Sequence, residues 1–235
     1  MITRFEELDW QSTPIGDLML RRRTEPSVGE EIYEVKLGDE YLMSSLFTVA
    51  EVQLSVLGLA AVEGENLRVL VGGLGLGYTA VAALRDERVG KLTVIDRLGA
   101  VIGWHERELL PVSPTLVRDP RTTLVEADFF AVMRADPAGD DPGYSAILLD
   151  VDHSPRHQLD PSHAHLYTEG GLRQLDQHLA PGGAFALWSD DAPDDVFLTT
   201  MRAVFGGVAA HVVEFANPVT GGVSSNTVYV ARSRG

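Results

Sequence analysis

The chain has 235 residues, 45% of them hydrophobic and 23% charged, enough for one sizeable core or for a main domain with a small companion. A formal net charge of -15 repels a phosphate backbone and argues against nucleic acid as a partner, while it suits a cationic small-molecule acceptor. No window approaches the roughly twenty apolar residues of a membrane span, MITRFEELDW has no secretory segment and there is no cysteine. The expectation is a cytoplasmic protein without disulfides or thiolate metal sites.

In chain order, TPIGDLMLRRR and EEIYEVKLGDEYLMSS read as short strands punctuated by Gly16, Pro26, Gly29 and Gly38, a small antiparallel unit over 1–44. Arg21, Arg22 and Arg23 read as the solvated end of a strand rather than a binding patch. Over 45–62 the apolar residues take a helical rhythm that is apolar almost all round, which predicts a helix packed on more than one side, closed by EGEN. From Leu67 the pattern becomes strand, helix, strand. LRVLVGG, KLTVID, TTLVEAD, SAILLDV and GGAFALWS are short apolar runs, with helices predicted over 78–85, 101–110, DFFAVMRA, 163–179 and 193–205. Such alternation indicates a parallel sheet covered on both faces, with ligands at the carboxyl ends of its strands. AAHVVEFANPV and SSNTVYVARS, joined through TGG, predict a terminal antiparallel hairpin.

Chemistry is expected where these strands end. Gly73, Gly75 and Gly77 give G-x-G-x-G, whereas the dinucleotide fingerprint G-x-G-x-x-G needs glycine where Tyr78 stands, which counts against a nicotinamide or flavin. A glycine turn by itself is compatible with a tight strand-to-helix connection that holds no ligand. Asp96 ends the second strand, where a carboxylate can accept both hydroxyl hydrogens of a ribose. Asp128 ends the third, where it can accept from the adenine amine while an apolar neighbour, Phe129, packs on the ring. Taken alone, either acid reads first as a helix N-cap. Together the three strand ends describe an adenosine pocket with no phosphate requirement.

These residues resemble the spermidine synthase-like family of the class I S-adenosylmethionine-dependent transferase fold. VGGLGLGYTA is similar to its glycine loop, IDRLGAVIGWHEREL to its ribose-binding strand end and EADFFAVM to its adenine-binding segment. YSAILLDVDHSP followed by LAPGGAFAL resembles its catalytic loop and fifth strand. The resemblance spans nearly the whole chain. It implies a small N-terminal β-strand unit over 1–44 and a Rossmann-like domain over 45–235, whose mostly parallel seven-stranded sheet ends in the antiparallel hairpin. It also implies cofactor contacts from the glycine loop, Asp96 with its neighbour Arg97, and Asp128 with Phe129, and a catalytic acid or base at Asp150. Pairing of the strand unit across a two-fold axis, a homodimer, would follow as well.

Three departures bear on the reaction. The family's glycine loop reads G-G-G-D-G-G, and Gly75 stands in the place of the aspartate. Its catalytic loop reads D-S-S-D or D-S-T-D, and here it is DVDH, with His153 in the place of the second aspartate. The family's tyrosine and histidine in the helix before the sheet have no counterpart in AEVQLSVLG, which supplies Leu54 and Ser55. Each lost group is a polar or anionic partner for an amine. An aspartate beside the cofactor tail would repel the carboxylate of intact S-adenosylmethionine and attract the ammonium of its decarboxylated form. The main expectation is therefore methyl transfer from S-adenosylmethionine to a small acceptor, an amine in the simplest case. The alternatives are aminopropyl transfer from decarboxylated S-adenosylmethionine and a non-catalytic adenosine binder.

In either transfer Asp150 would orient or deprotonate the acceptor, with Asp152 and His153 relaying or holding it. His153, His157, His163 and His165 share one segment with several aspartates but show no fixed ligand spacing, so a mobile gate is expected there and no metal. SDDAPDD reads as a helix N-cap region, or as an acidic lining on the acceptor side.

Overall fold

The computed structural model describes residues 5–13, 16–139 and 141–234. Strands β1 (Phe5–Thr13), β2 (Gly16–Glu25), β3 (Glu30–Leu37) and β4 (Glu40–Ser44) form a four-stranded antiparallel sheet in that order. The first four residues of the expected strand unit lie outside the described ones. No strand was expected over β1, because both faces of FEELDWQST stay partly exposed and no apolar alternation marks it. The three arginines of β2 are paired rather than free: Arg21 and Arg23 meet the buried Glu34 on β3, and Arg22 meets Glu6 on β1.

The remainder runs α1 (Val49–Ala60), β5 (Leu67–Gly72), α2 (Tyr78–Leu84), β6 (Val89–Asp96), α3 (Gly99–Glu106), α4 (Ser113–Arg118) and β7 (Thr122–Glu126). It continues through α5 (Phe129–Arg134), β8 (Tyr144–Leu149), α6 (Glu169–Asp176), β9 (Leu179–Ser189), α7 (Asp195–Val204), β10 (Gly206–Asn217) and β11 (Gly222–Arg232). The seven-stranded sheet has the order β10-β11-β9-β8-β5-β6-β7; its five strands from β9 to β7 are parallel, β11 pairs antiparallel with β9, and β10 pairs antiparallel with β11. The expected Rossmann-like α/β architecture with its terminal hairpin is thus the observed one.

Alternation along the strands sorts the core onto two faces. Val69, Val71, Leu148, Ala184, Ala186, Val228 and Val230 pack with α1, α2, α3 and the N-terminal sheet residues Leu18, Leu20 and Val35. Leu70, Ile147, Leu149, Phe185, Leu187 and Tyr229 point the other way, to Phe130, Met133, Leu172, Leu175, Phe197 and Met201 of α5, α6 and α7. Burial on both sides explains why these strands read as continuous apolar runs. Small residues lie under α1: a methyl group on Gly58 would sit 3.1 Å from Ala186 Cβ, so this helix rides close to the sheet.

Two predicted helices end early for local reasons. The one expected over 101–110 stops at Glu106, and Glu108 takes a left-handed φ of 55° before α4, a six-residue helix that the sequence pattern did not reveal. The one expected over 163–179 divides into a 3-10 turn, Pro161–Tyr167, and α6, because Thr168 is extended and its hydroxyl caps α6 by accepting from Gly171 N at 3.2 Å. Among the described residues no helix is long and apolar enough to cross a membrane.

Candidate active site

The chain order in the large sheet reverses between β5 and β8, and the turns after these strands face each other there. Asp150 N donates to Gly72 O at 2.8 Å, and a side chain on Gly73, which holds a φ of 90°, would overlap the Asp150 carbonyl oxygen. The glycine loop and Asp150 thereby converge on one cleft, roofed by Leu42 and Met43 of β4. The cleft has two halves that share Leu42, Met43, Gly75, Asp150, Val151 and Leu159.

The smaller half, about 210 Å³, is walled by Gly73, Asp96, Arg97, Asp128, Phe129 and Phe130 among others. Most of the expected cofactor residues therefore share one cavity, although several are already engaged. Asp96 accepts from Leu74 N at 2.9 Å and from Leu98 N at 2.8 Å, tying the glycine loop to the start of α3. Burial pushes its carboxyl up, against the opposing pull of these amides and that of Gly75. The carboxylate keeps acceptor capacity for a ligand hydroxyl beyond these amides. Asp128 is the N-cap of α5, accepting from Ala131 N at 3.1 Å. Phe129 lies beneath the strand end: a Gly72 side chain would come 2.6 Å from its ring. Arg97 is half exposed at the rim and 3.5 Å from Asp160.

The larger half, about 480 Å³, also includes Glu51, Gly77, Tyr78, His153, Trp188 and Asp190, with Phe215, Asn217 and Asn226 from the hairpin. None of its described lining residues is lysine or arginine. Burial raises the Asp150 carboxyl to about 6, with the Thr79 hydroxyl donating to it at 2.6 Å and opposing the shift. Burial, reinforced by the charge of Asp150, raises Glu51 to about 8. Two carboxyls thus face one cavity in which they cannot both ionise freely near neutral pH. Glu51 was not among the expected site residues. Its signal was present, since it is the one charged residue in the largely apolar helix α1.

Asp152 and His153 part company. Asp152 is 1% exposed and lines neither half; it accepts from His163 Nδ1 at 2.8 Å, Leu159 N at 2.8 Å and Tyr167 OH at 2.7 Å. The structure thus shows Asp152 as an anchor of the 153–167 loop, and the relay role expected of it has no contact with either half of the cleft. Asp152→Asn should lower stability by about 1 to 3 kcal/mol, through weakened charge-assisted hydrogen bonds, and loosen this loop; denaturant unfolding with proteolysis of the segment checks it. His153 reaches the larger half and lies 3.5 Å from Glu40 on β4. The other three histidines have separate partners: His157 meets Asp191, His163 stacks on Phe130 at 3.6 Å, and His165 meets Gln174. Among the described residues no three acidic or histidine side chains converge on a metal position. Within SDDAPDD, Asp194 caps α7 and Asp190 lines the larger half of the cleft.

No family model matches the chain, and no curated protein matches it in sequence. Solved structures do. A spermidine synthase in complex with the transition-state analogue AdoDATO superposes with a TM-score of 0.73 at 19% identity, covering 97% of this chain and 74% of that one. A spermidine synthase from Thermotoga maritima gives 0.71 at 19% identity, covering 97% and 73%. The expectation of methyl transfer is corrected by these neighbours, which are aminopropyltransferases. That expectation took Gly75 as the reader of the cofactor tail. Glu51 and Asp150 line the same cavity as Gly75, so losing the loop aspartate does not leave the site free of carboxylates.

Proposed function

Because the chain carries the spermidine synthase fold, we propose that it transfers an aminopropyl group from decarboxylated S-adenosylmethionine to a small cationic amine. The observation that supports this most is the acidic larger half of the cleft, where Glu51, Asp150 and Asp190 stand without a lysine or arginine. A methionyl carboxylate placed there would meet like charge in a poorly solvated cavity, whereas an ammonium would be stabilised. The smaller half suits the adenosine part, with Asp96 and Arg97 toward the ribose side and Asp128 and Phe129 toward the base.

A sulfonium supplies the reactivity, and the protein's share is alignment and proton removal. The acceptor enters as an ammonium and must lose a proton before its nitrogen can attack. Asp150 is the base in this reading, oriented by Thr79, and Glu51 holds the neighbouring charge low enough for Asp150 to accept the proton. The nitrogen then bonds to the methylene carbon next to sulfur. The carbon–sulfur pair departs with sulfur as neutral methylthioadenosine, and the proton stays on the carboxyl pair. His153, at the rim beside Glu40, is placed to hold an acceptor rather than to take its proton.

The test supplies decarboxylated or intact S-adenosylmethionine with a panel of primary amines and follows the nucleoside product by chromatography. Methylthioadenosine formed from the decarboxylated donor in the presence of an amine is the expected result. S-adenosylhomocysteine formed from the intact donor would overturn the reading, and the absence of both products would leave a binder without this chemistry.

A further inference from the structure

His105 lines neither half of the cleft, is fully buried and has no part in the proton transfer described above. It sits on α3 behind the glycine loop. Its Nε2 lies 3.0 Å from the carbonyl oxygen of Gly75, and its Nδ1 lies 3.1 Å from the hydroxyl of Ser113 at the start of α4. A carbonyl can only accept, so Nε2 carries the proton, Nδ1 is left as an acceptor and the Ser113 hydroxyl donates to it. Burial pushes the imidazole down, which agrees with this neutral form. The ring also lies close enough to the loop that a methyl group on Gly77 would come 2.7 Å from its Cε1.

The loop depends on such backbone contacts. Gly75 has a φ of 47° and no side chain with which to anchor itself, and it lines both halves of the cleft. Its carbonyl is held by His105 from one side, and the N–H of its neighbour Leu74 donates to Asp96 on the other.

We propose that His105 is a positioning residue for the sulfonium nucleoside: through Gly75 it holds the glycine loop in the shape that the donor meets where the two halves of the cleft join. The proposal takes the nucleoside assignment of the cleft from the functional reading above, but the clamp itself does not depend on any ligand. Gln at this position can present a donor near the place of Nε2, whereas Leu fills the space without one. Ser113→Ala removes the bond that selects the tautomer and leaves the ring free to turn a lone pair toward the carbonyl.

The experiment titrates methylthioadenosine into the wild type, His105→Leu, His105→Gln and Ser113→Ala by calorimetry, with melting temperatures and amide exchange over 73–77 recorded alongside. Expected is a loss of affinity of about tenfold for Leu, recovery to within about threefold for Gln and an intermediate loss for Ser113→Ala, with faster loop exchange tracking affinity. In the transfer assay the donor KM should rise in the same order while the acceptor KM stays in place. A folded Leu variant that melts and binds like the wild type overturns the proposal. Should Leu not fold, Gln binding like the wild type and Ser113→Ala binding more weakly carries the proposal, and equal binding by these two overturns it. If the wild type does not bind methylthioadenosine, the functional reading fails and exchange alone decides: faster exchange in Leu or Ser113→Ala but not in Gln supports the clamp, and equal exchange in all four proteins overturns it.

Discussion

Asp150→Asn is expected to lower kcat by about two to four orders of magnitude while methylthioadenosine still binds within about threefold of the wild type. The amide keeps an oxygen for the Thr79 hydroxyl, which now donates to Asp150 at 2.6 Å, so the loop that closes on Gly72 has no reason to move. What disappears is the proton acceptor at the strand-order reversal. The wild-type rate should climb as the carboxyl, raised to about 6, loses its proton, and that limb should be absent from the variant. Because Asp150 and Glu51 influence each other, the limb belongs to the pair, and its midpoint should shift when Glu51 is neutralised. Steady-state kinetics from pH 5 to 9 read all of this, and a variant with wild-type kcat would remove Asp150 from the chemistry.

Glu51→Gln should separate stability from catalysis. Burial raises Glu51 from 4.5 to about 8, so the folded protein holds this proton more tightly than the unfolded chain does. The stability linked to the proton is fully present below about pH 4.5 and is lost as pH rises to about 8, beyond which the wild type carries an ionised carboxylate in a poorly solvated cavity. Gln carries no such cost. The variant should match the wild type near pH 4.5 and gain on it with rising pH, reaching about 2 to 4 kcal/mol of extra stability at pH 9. With one carboxyl gone from the larger half of the cleft, the proposed function predicts that its acceptor KM rises at the same time. Urea unfolding at pH 5, 7 and 9 measures the first effect, and a difference independent of pH would mean that Glu51 is not held protonated by the fold.

The sheet was legible in the sequence because its physics is local. Val69 to Val71, Ala146 to Leu149 and Ala184 to Leu187 are apolar on both faces, as strands buried between two helix layers must be, and Gly73, Asp96, Asp128 and Asp150 mark the carboxyl ends of β5, β6, β7 and β8. β1 and α4 left no comparable trace, the first because neither face is fully buried and the second because six residues show too little of a helical period.

The chemistry was only half legible, because residue type and strand position do not report what else stands nearby. Asp150 and Asp152 look alike in DVDH, yet β8 delivers the first into the cleft while the second turns inward to His163 and Tyr167. Gly75 read alone pointed to a weakened demand for a cationic donor; the fold brings Glu51 to the same cavity from a helix more than twenty residues earlier, where it forms a carboxyl pair with Asp150. His105 and Ser113 show no motif, since their effect passes through a backbone carbonyl that has no letter in the sequence. By itself the sequence determined the layers, the strand ends and the glycine turn, all set by burial and backbone freedom within a few residues. Only the tertiary structure decided which carboxylates face one another across the cleft, because long-range electrostatic proximity depends on how α1, α3 and β8 pack around that turn.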